Sequence, residues 1–197
     1  MSRKVFDVLT SAGGLVAVVV LLVAGGLLTW GHSFVNSNVH DQLAQQQIYF
    51  PPQAAFAHAK AGTEITPSMI PSVSQYAGQQ LLTGKQAQAY SNHFIAVHLS
   101  EMPYGGVYSK ISAAALAKPT DTTLAALKGT SFTGTTLRGL LLEAYAFSTI
   151  GAIMFIGAIA SFILAAIMAA LVAGGLWHAK RTSSEARVRV GKAAVTA

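Results

Sequence analysis

The chain has 197 residues, of which 52% are hydrophobic and 10% are charged. Soluble domains carry roughly 25% charged residues, so this composition argues against a soluble, disordered or collagen-like chain. Cysteine is absent, which excludes disulfides, thiolate metal sites and thiol catalysis. The formal net charge is +6, and its meaning depends on where the excess basic residues lie.

An uncharged stretch separates Asp7 from Asp41. Its most apolar part, Val8–Trp30, has the length of about 20 apolar residues that a helix needs to cross a bilayer. Arg3 and Lys4 precede it, as in a signal peptide. The apolar run is longer than the usual stretch of about 7–15 residues, however, and no A-x-A cleavage motif follows. We therefore expect a retained first membrane span.

A second uncharged stretch runs from Ala144 to Ala179. Its 36 residues would form a helix about 54 Å long, which exceeds the roughly 30 Å of the hydrocarbon core. We expect this helix to cross the membrane and to extend beyond it or tilt within it.

The basic residues predict the orientation of the two spans. The terminal segments hold seven Lys or Arg against two Asp or Glu, a net +5, whereas the segment between the spans holds six against five, a net +1. The positive-inside rule then predicts cytoplasmic termini and an extracytoplasmic central segment in the cell (plasma) membrane. Because the basic tail lacks interleaved aromatic residues, we interpret it as a topology signal or a lipid-headgroup contact and expect no nucleic-acid partner.

The central segment contains all six prolines and shows the turn residues of short helices, whereas β-hairpin signals are scarce. The first helix can continue outward until Pro51-Pro52 stops it. Ala87, Tyr90, Phe94 and Val97 form an apolar stripe at helical spacing. The predicted short helices cover 71–82 (closed by Thr83-Gly84), 85–102, 107–116, and 121–129 with Asp121 as the cap, and Thr135 or Thr136 begins the long second helix.

These features predict a mainly α fold in which two transmembrane helices flank an all-helical extracytoplasmic domain. The predicted segments are a cytoplasmic N-terminus (1–7), transmembrane helix 1 (8–34), the extracytoplasmic helical domain (35–136), a long helix containing transmembrane helix 2 (137–178) and a basic cytoplasmic tail (179–197).

Five of the six histidines, His32, His40, His58, His93 and His98, are predicted on the outer side of the membrane, which raises the question of a metal or haem site. His93 and His98 are five residues apart and so lie about 140° apart around a helix, which is unsuitable for chelating one ion. His98 and Met102 share a face, but a metal or haem site would need further ligands. The chain also lacks the G-x-S-x-G and HExxH motifs. We expect no metal site, no cofactor and no enzymatic activity.

Small residues are the most informative feature of the spans. Lipid gives helices little hydrophobic gain on association, so small residues that permit close approach mark helix interfaces. The candidate interface residues are Gly25, Gly26, Gly151, Gly157, Gly174 and Gly175. Arg138 and Glu143 are five residues apart, off one helix face, and are candidates for polar contacts with another subunit or with the central domain.

The segments VHDQLAQQQIYFPP, EITPSMIPSVSQYAGQQL, HFIAVHLSEMPYGGVYS and TLRGLLLEAYAF lie between the two spans. In this pattern the chain resembles a group of small two-span membrane proteins of actinobacteria. The resemblance implies a cell-membrane setting. It brings no activity and no catalytic residues.

Three hypotheses for function follow. The leading one is a non-enzymatic membrane protein that acts as an accessory or structural subunit of a larger membrane assembly, or as a homo-oligomer, so that its partners are the lipid bilayer and other subunits or itself. The alternative is a membrane-anchored extracytoplasmic module that binds a ligand or lipid as a sensor. The third is a metal- or haem-dependent redox subunit that uses His93 or His98.

Overall fold

The computed structural model describes residues 3–181. Within this range the chain is mainly helical and has no β-strand, and Tyr49 and Gln80 form one isolated antiparallel bridge. The α-helices are α1 (Arg3–Gln46), α2 (Gln53–Phe56), α3 (Ile70–Val73), α4 (Gly84–Tyr90), α5 (Ala96–Glu101), α6 (Tyr108–Ala117) and α7 (Thr122–Arg181). A π-helical segment, Ser91–Ile95, joins α4 to α5, and short turns of 3-10 type lie at Pro67–Met69, Ser74–Tyr76 and Pro103–Gly106.

Helices α1 and α7 are long and apolar enough to cross a membrane. Their most apolar windows have mean hydropathies of 2.4 and 2.6, and only 11% and 17% of these windows is buried. A core helix of a soluble protein is mostly buried, because that is where its apolar surface is removed from water. Both helices are therefore candidate membrane spans. The basic tail predicted for 179–197 lies mostly outside the described residues.

The chain forms two compact units. The first, here called the span unit, is described over 3–32 and 153–181, from α1 and α7 respectively. The second, here called the central unit, covers 33–152 and contains the remainder of both long helices together with α2–α6.

The core of the central unit gathers apolar side chains from its short helices and from both long ones. Met69, Val73 and Leu81 are completely buried. They pack in one cluster with buried residues from α1, from the segments that follow it, and from α7. The other buried members are Val39, Leu43, Phe50, Phe56, Ile65, Ala87, Ile95 and Leu141.

Helix α1 ends before the two prolines predicted to stop it. Its last residue is Gln46, and Gln47 has a positive φ of 51°. The next residues are held in an extended conformation, because the Phe50 N–H donates to the Gln79 carbonyl and the Leu81 N–H donates to the Ile48 carbonyl. These long-range hydrogen bonds end the helix at a point that local sequence does not mark.

The predicted helix over 71–82 is wrong. The chain there forms α3 and a turn at Ser74–Tyr76, after which Gly78 takes a positive φ of 70°. Gly84, predicted to close that helix, instead begins α4, where a side chain would meet Ser148 and the backbone of Tyr145 on α7. The helix predicted over 85–102 is confirmed as α4, the π segment and α5, and that over 107–116 is confirmed as α6.

Helix α7 begins at Thr122, and the predicted break at Gly129 and the start at 137 are wrong. The predicted cap is confirmed, because the Asp121 Oδ1 accepts hydrogen bonds from the backbone N–H groups of Thr123 and Leu124, each at 3.0 Å. A helical glycine costs only about 1 kcal/mol. Packing of the following turn outweighs this cost, since Ser131 is completely buried against the chain at Gly106.

Candidate functional site

Buried positions recur every seven residues on both helices of the span unit. The repeating positions are Ser11, Val18 and Gly25 on α1, and Ala158, Ala165, Val172 and Ala179 on α7; Gly31 on α1 is buried as well. A seven-residue repeat keeps one stripe of each helix facing its partner, as in left-handed coiled coils. The two helices therefore pack against each other along a single stripe, which we call the seam.

Glycines permit close approach along the seam. A Cβ atom placed on Gly14 would lie 2.6 Å from Val172 Cγ2, and one placed on Gly25 would lie 2.9 Å from the Phe162 ring. A Cβ atom would likewise lie close to Met154 if placed on Gly31, to Leu28 if placed on Gly157, and to Ser11 if placed on Gly175. Residues later in α1 contact residues earlier in α7, so the two helices run antiparallel.

Each adjacent glycine pair on the spans contributes one member to the seam and one to the outside. Gly14, Gly25 and Gly175 contact the opposite helix. A Cβ atom placed on their neighbours Gly13, Gly26 and Gly174 would meet no heavy atom within 4 Å beyond the local helix backbone. Among the residues predicted to form an interface, Gly25, Gly157 and Gly175 thus lie in the seam, and Gly151 is buried on α7. Gly26 and Gly174 lie open.

The end of the span unit that carries both termini has a polar contact that the sequence analysis missed. His178 Nδ1 lies 2.9 Å from Asp7 Oδ2, and the guanidinium carbon of Arg181 lies 4.0 Å from the ring centroid of Trp177. The contact between His178 and Asp7 joins residues that are 171 positions apart in the sequence. Asp7 precedes the first apolar stretch and His178 lies at the end of the second. These positions were the signal in the sequence that could have predicted this contact.

Tyr90 lies in an aromatic cluster of the central unit. Its ring centroid lies 5.3 Å from that of Phe50 and 4.6 Å from that of Phe94, and Phe94 in turn contacts His98. Burial raises the pKa of the Tyr90 phenol, and the negative charge of Glu64 raises it further. The predicted apolar stripe on this helix is thereby confirmed as part of the core.

Arg138 contacts the π segment of its own unit. Its Nη2 donates to Asn92 Oδ1 at 3.2 Å, and its backbone carbonyl accepts a hydrogen bond from the Ser91 hydroxyl at 3.2 Å. Its Nε is buried without a hydrogen-bond partner. Arg138 and Glu143 do not form a salt bridge with each other. Within residues 3–181 the salt bridge joins Asp7 and His178.

The histidines considered as metal ligands are dispersed. His98 Nδ1 lies 2.9 Å from the Phe94 carbonyl oxygen of the preceding turn, and His93 is exposed. Within the described part of the chain, no three His, Asp or Glu side chains lie close enough to hold a metal ion.

An open groove of about 500 Å³ lies between α1 and α7 in the central unit. Its apolar lining includes Phe34, Leu140 and Phe147, which are 56%, 58% and 49% exposed. Its polar lining consists of the amides Asn38, Gln42 and Gln46, one helical turn apart on α1, and the carboxylate of Glu143 on α7. Of the residues singled out in the sequence, Glu143 is the one that faces this groove.

Comparison with known proteins identifies no relative: no family model, curated protein or solved structure matches the chain. The seam, the open glycines and the groove are the features of the molecule that bear on its function.

Proposed function

We propose that the chain is a non-enzymatic integral membrane protein that acts by assembly, as an accessory subunit of a larger membrane complex or as a homo-oligomer. The observation that carries the proposal is the division of the glycine pairs between two faces. One member of each pair is used in the seam, while Gly13, Gly26 and Gly174 lie open. Small residues let helix backbones approach closely in lipid, so the open glycines suit a helix of another chain.

The exposed apolar surface of the spans supports the same proposal. Large hydrophobic side chains such as Leu15, Val23 and Leu27 on α1 and Ile156 and Leu171 on α7 are more than half exposed. Exposure of such surface to water is unfavourable, so lipid tails or the helices of another subunit would cover it.

We infer further that both termini are cytoplasmic and that the central unit is extracytoplasmic, in the plasma membrane. The distribution of basic residues supports this orientation, since the terminal segments carry a net +5 and the segment between the spans a net +1.

Gly25 and Gly26 provide a matched test of assembly. Gly26→Leu adds bulk to the open face, and we expect it to lower the oligomeric or complexed fraction at least about tenfold in native mass spectrometry after mild detergent extraction. Gly25→Leu forces a side chain into Phe162, so it should instead destabilise the monomer. Assembly unchanged in both Gly26→Leu and Gly174→Leu, or a purely monomeric wild type without co-purified subunits, would refute the proposal.

The orientation is tested in intact cells, using the absence of native cysteine. A single cysteine at Tyr104, which is 50% exposed, should react with a membrane-impermeant maleimide. A single cysteine at Ser183 should react only after the membrane is permeabilised. The opposite pattern would reverse the orientation without affecting the assembly proposal.

The second hypothesis, a membrane-anchored module that binds a ligand or lipid, is favoured by one specific observation. This is the groove between α1 and α7, whose volume falls within the range of about 300–1,000 Å³ that is usual for ligand sites.

A further inference from the structure

The groove between α1 and α7 is long and open on one side. Its volume is about 500 Å³, and its α1 wall, from Phe34 to Gln46, is about 18 Å long at 1.5 Å per residue. An extended hydrocarbon chain can lie in a groove of this length, and the chemistry of the lining selects the occupant.

The walls of the groove are apolar enough to hold such a chain. Val39, Leu43 and Leu141 close its floor and are each at most 9% exposed, while Leu140 and Phe147 flank its opening. A hydrocarbon chain that leaves the bilayer for this groove gains little hydrophobic free energy, so packing against these walls positions the chain and the polar contacts decide which lipid binds. The occupant would come from the bilayer, since Phe34 is the last residue of the predicted transmembrane helix 1 (8–34).

The charge in the groove selects the headgroup. Glu143 is the sole ionisable residue in the groove lining, and among residues 3–181 it has no salt-bridge partner. The remaining polar lining, Asn38, Gln42 and Gln46, consists of neutral amides. An ammonium group complements this lining, because it donates hydrogen bonds to carboxylate and amide oxygens. A carboxylate or a second acidic group would meet Glu143 without a basic residue to offset the repulsion.

The same charge argues against a second copy of the chain in this groove. A two-fold symmetric contact places the same surface of both copies face to face. Such a contact would enclose two Glu143 carboxylates in an apolar interface, with no cation from either lining.

We propose that the groove binds one hydrocarbon chain of a bilayer lipid whose headgroup carries an ammonium, and that Glu143 pairs with this ammonium. Phe147, which lies on the side of Glu143 nearer the predicted span, contacts the hydrocarbon chain, and the amides of α1 contact the polar part of the headgroup. This lipid site goes beyond the assembly function and does not depend on it.

The experiment uses the full-length protein in nanodiscs of equal parts dioleoyl phosphatidylethanolamine and dioleoyl phosphatidylglycerol. These lipids have the same chains and a phosphate each, and the first carries an ammonium where the second carries hydroxyls. Native mass spectrometry after gentle release counts the lipids that each protein molecule retains. We expect the wild type to retain one phosphatidylethanolamine with a preference of about twofold to fivefold over phosphatidylglycerol, the range of an exposed ion pair.

Four variants test the roles of the charge and of the groove. Glu143→Gln should reduce the preference to about one, and Glu143→Lys should reverse it towards phosphatidylglycerol. Leu140→Trp fills the opening and should reduce retention of both lipids. Glu101→Gln removes an acidic residue that does not line the groove and should keep the wild-type preference.

Three results would overturn the proposal. The first is equal retention of the two lipids by the wild type. The second is a preference that survives Glu143→Gln or fails to reverse in Glu143→Lys. The third is a lipid-free dimer, or a lipid-free complex with another subunit, that Leu140→Trp dissociates, since this would identify a protein chain as the occupant.

Discussion

At the scale of single residues, Tyr90 has an environment that makes the stability of the central unit depend on pH. Its phenol packs between the rings of Phe50 and Phe94. Burial raises its pKa, and Glu64 adds to this effect. The folded state therefore holds the phenolic proton at pH values where the unfolded chain has lost it.

The sign of the pH dependence follows from this difference in bound protons. The contribution of Tyr90 to stability is complete below its unfolded pKa of about 10 and is lost as the pH rises towards its folded value. We expect the wild type to lose up to about 1.4 kcal/mol per pH unit relative to Tyr90→Phe above pH of about 10. Chemical unfolding followed at several pH values measures this difference.

A matched variant separates Tyr90 from other alkaline effects. Tyr104 is also a tyrosine of the central unit, but it is 50% exposed. Tyr104→Phe should retain the alkaline loss of the wild type. Parallel stability curves for Tyr90→Phe and the wild type between about pH 8 and pH 11 would contradict the account.

At the scale of elements, the connection between α5 and α6 depends on three consecutive residues in the left-handed region. Tyr104, Gly105 and Gly106 have φ values of 60°, 64° and 66°. Gly106 also approaches α5 so closely that a Cβ atom would collide with the Leu99 carbonyl, whereas a Cβ atom on Gly105 would meet open space. The Gly106 carbonyl accepts a 2.7 Å hydrogen bond from the buried Ser131 hydroxyl of α7.

The two glycines should therefore respond differently to the same substitution. Gly105→Ala introduces only the strain of a left-handed residue, about 1–2 kcal/mol. Gly106→Ala adds the collision with Leu99 and displaces the acceptor of Ser131, so we expect at least about twice that loss. The free energy of unfolding of the two variants, measured in the same detergent, gives the comparison. Equal losses would mean that the close approach to Leu99 is not maintained.

The helical elements could be predicted from sequence where the signals were local. Asp121 was predicted to cap a short helix, and its capping hydrogen bonds are found at the start of α7. The apolar stripe through Tyr90 predicted the helix that forms α4 and α5. The predictions were wrong where distant contacts decide. Long-range hydrogen bonds replaced the predicted helix over 71–82, and burial of Ser131 carried α7 through Gly129.

The candidate site could be predicted in part. Glycine content indicated close helix packing, but it could not say which member of each pair faces the partner, because this depends on the register between helices that are far apart in sequence. The seven-residue spacing from Ser11 to Gly25 and from Ala158 to Ala179 was a signal that could have supplied this face. The groove required both long helices at once and had no local signal beyond the charge of Glu143.

At the scale of the whole molecule, the span unit is the part on which the assembly proposal depends. Its two helices are neighbours in space but distant in sequence, and glycine and alanine make up much of the seam. A correct register leaves Gly26 and Gly174 on the outside. A rotation of α1 by about 100° would bring Gly26 into the seam in place of Gly25, and a rotation of α7 by the same angle would bring Gly174 there in place of Gly175.

The register can be tested by a disulfide across the seam. A Cβ atom on Gly175 would lie 3.9 Å from Ser11 Cβ, within the range of about 3.5–4.5 Å that disulfides require. In the otherwise cysteine-free chain, we expect Ser11→Cys with Gly175→Cys to form an intramolecular disulfide nearly completely under mild oxidation, seen as a faster-migrating monomer on non-reducing gels.

The adjacent glycine supplies the control for this register. Gly174 has no atom of α1 within 4 Å of a Cβ position, so Ser11→Cys with Gly174→Cys should form little intramolecular disulfide under the same conditions. Because the two double variants differ by one residue on one helix, mobility of the helices would affect both. Preferential cross-linking through position 174 would place Gly175 on the outer face, and the assignment of open and seam glycines would then have to be reversed.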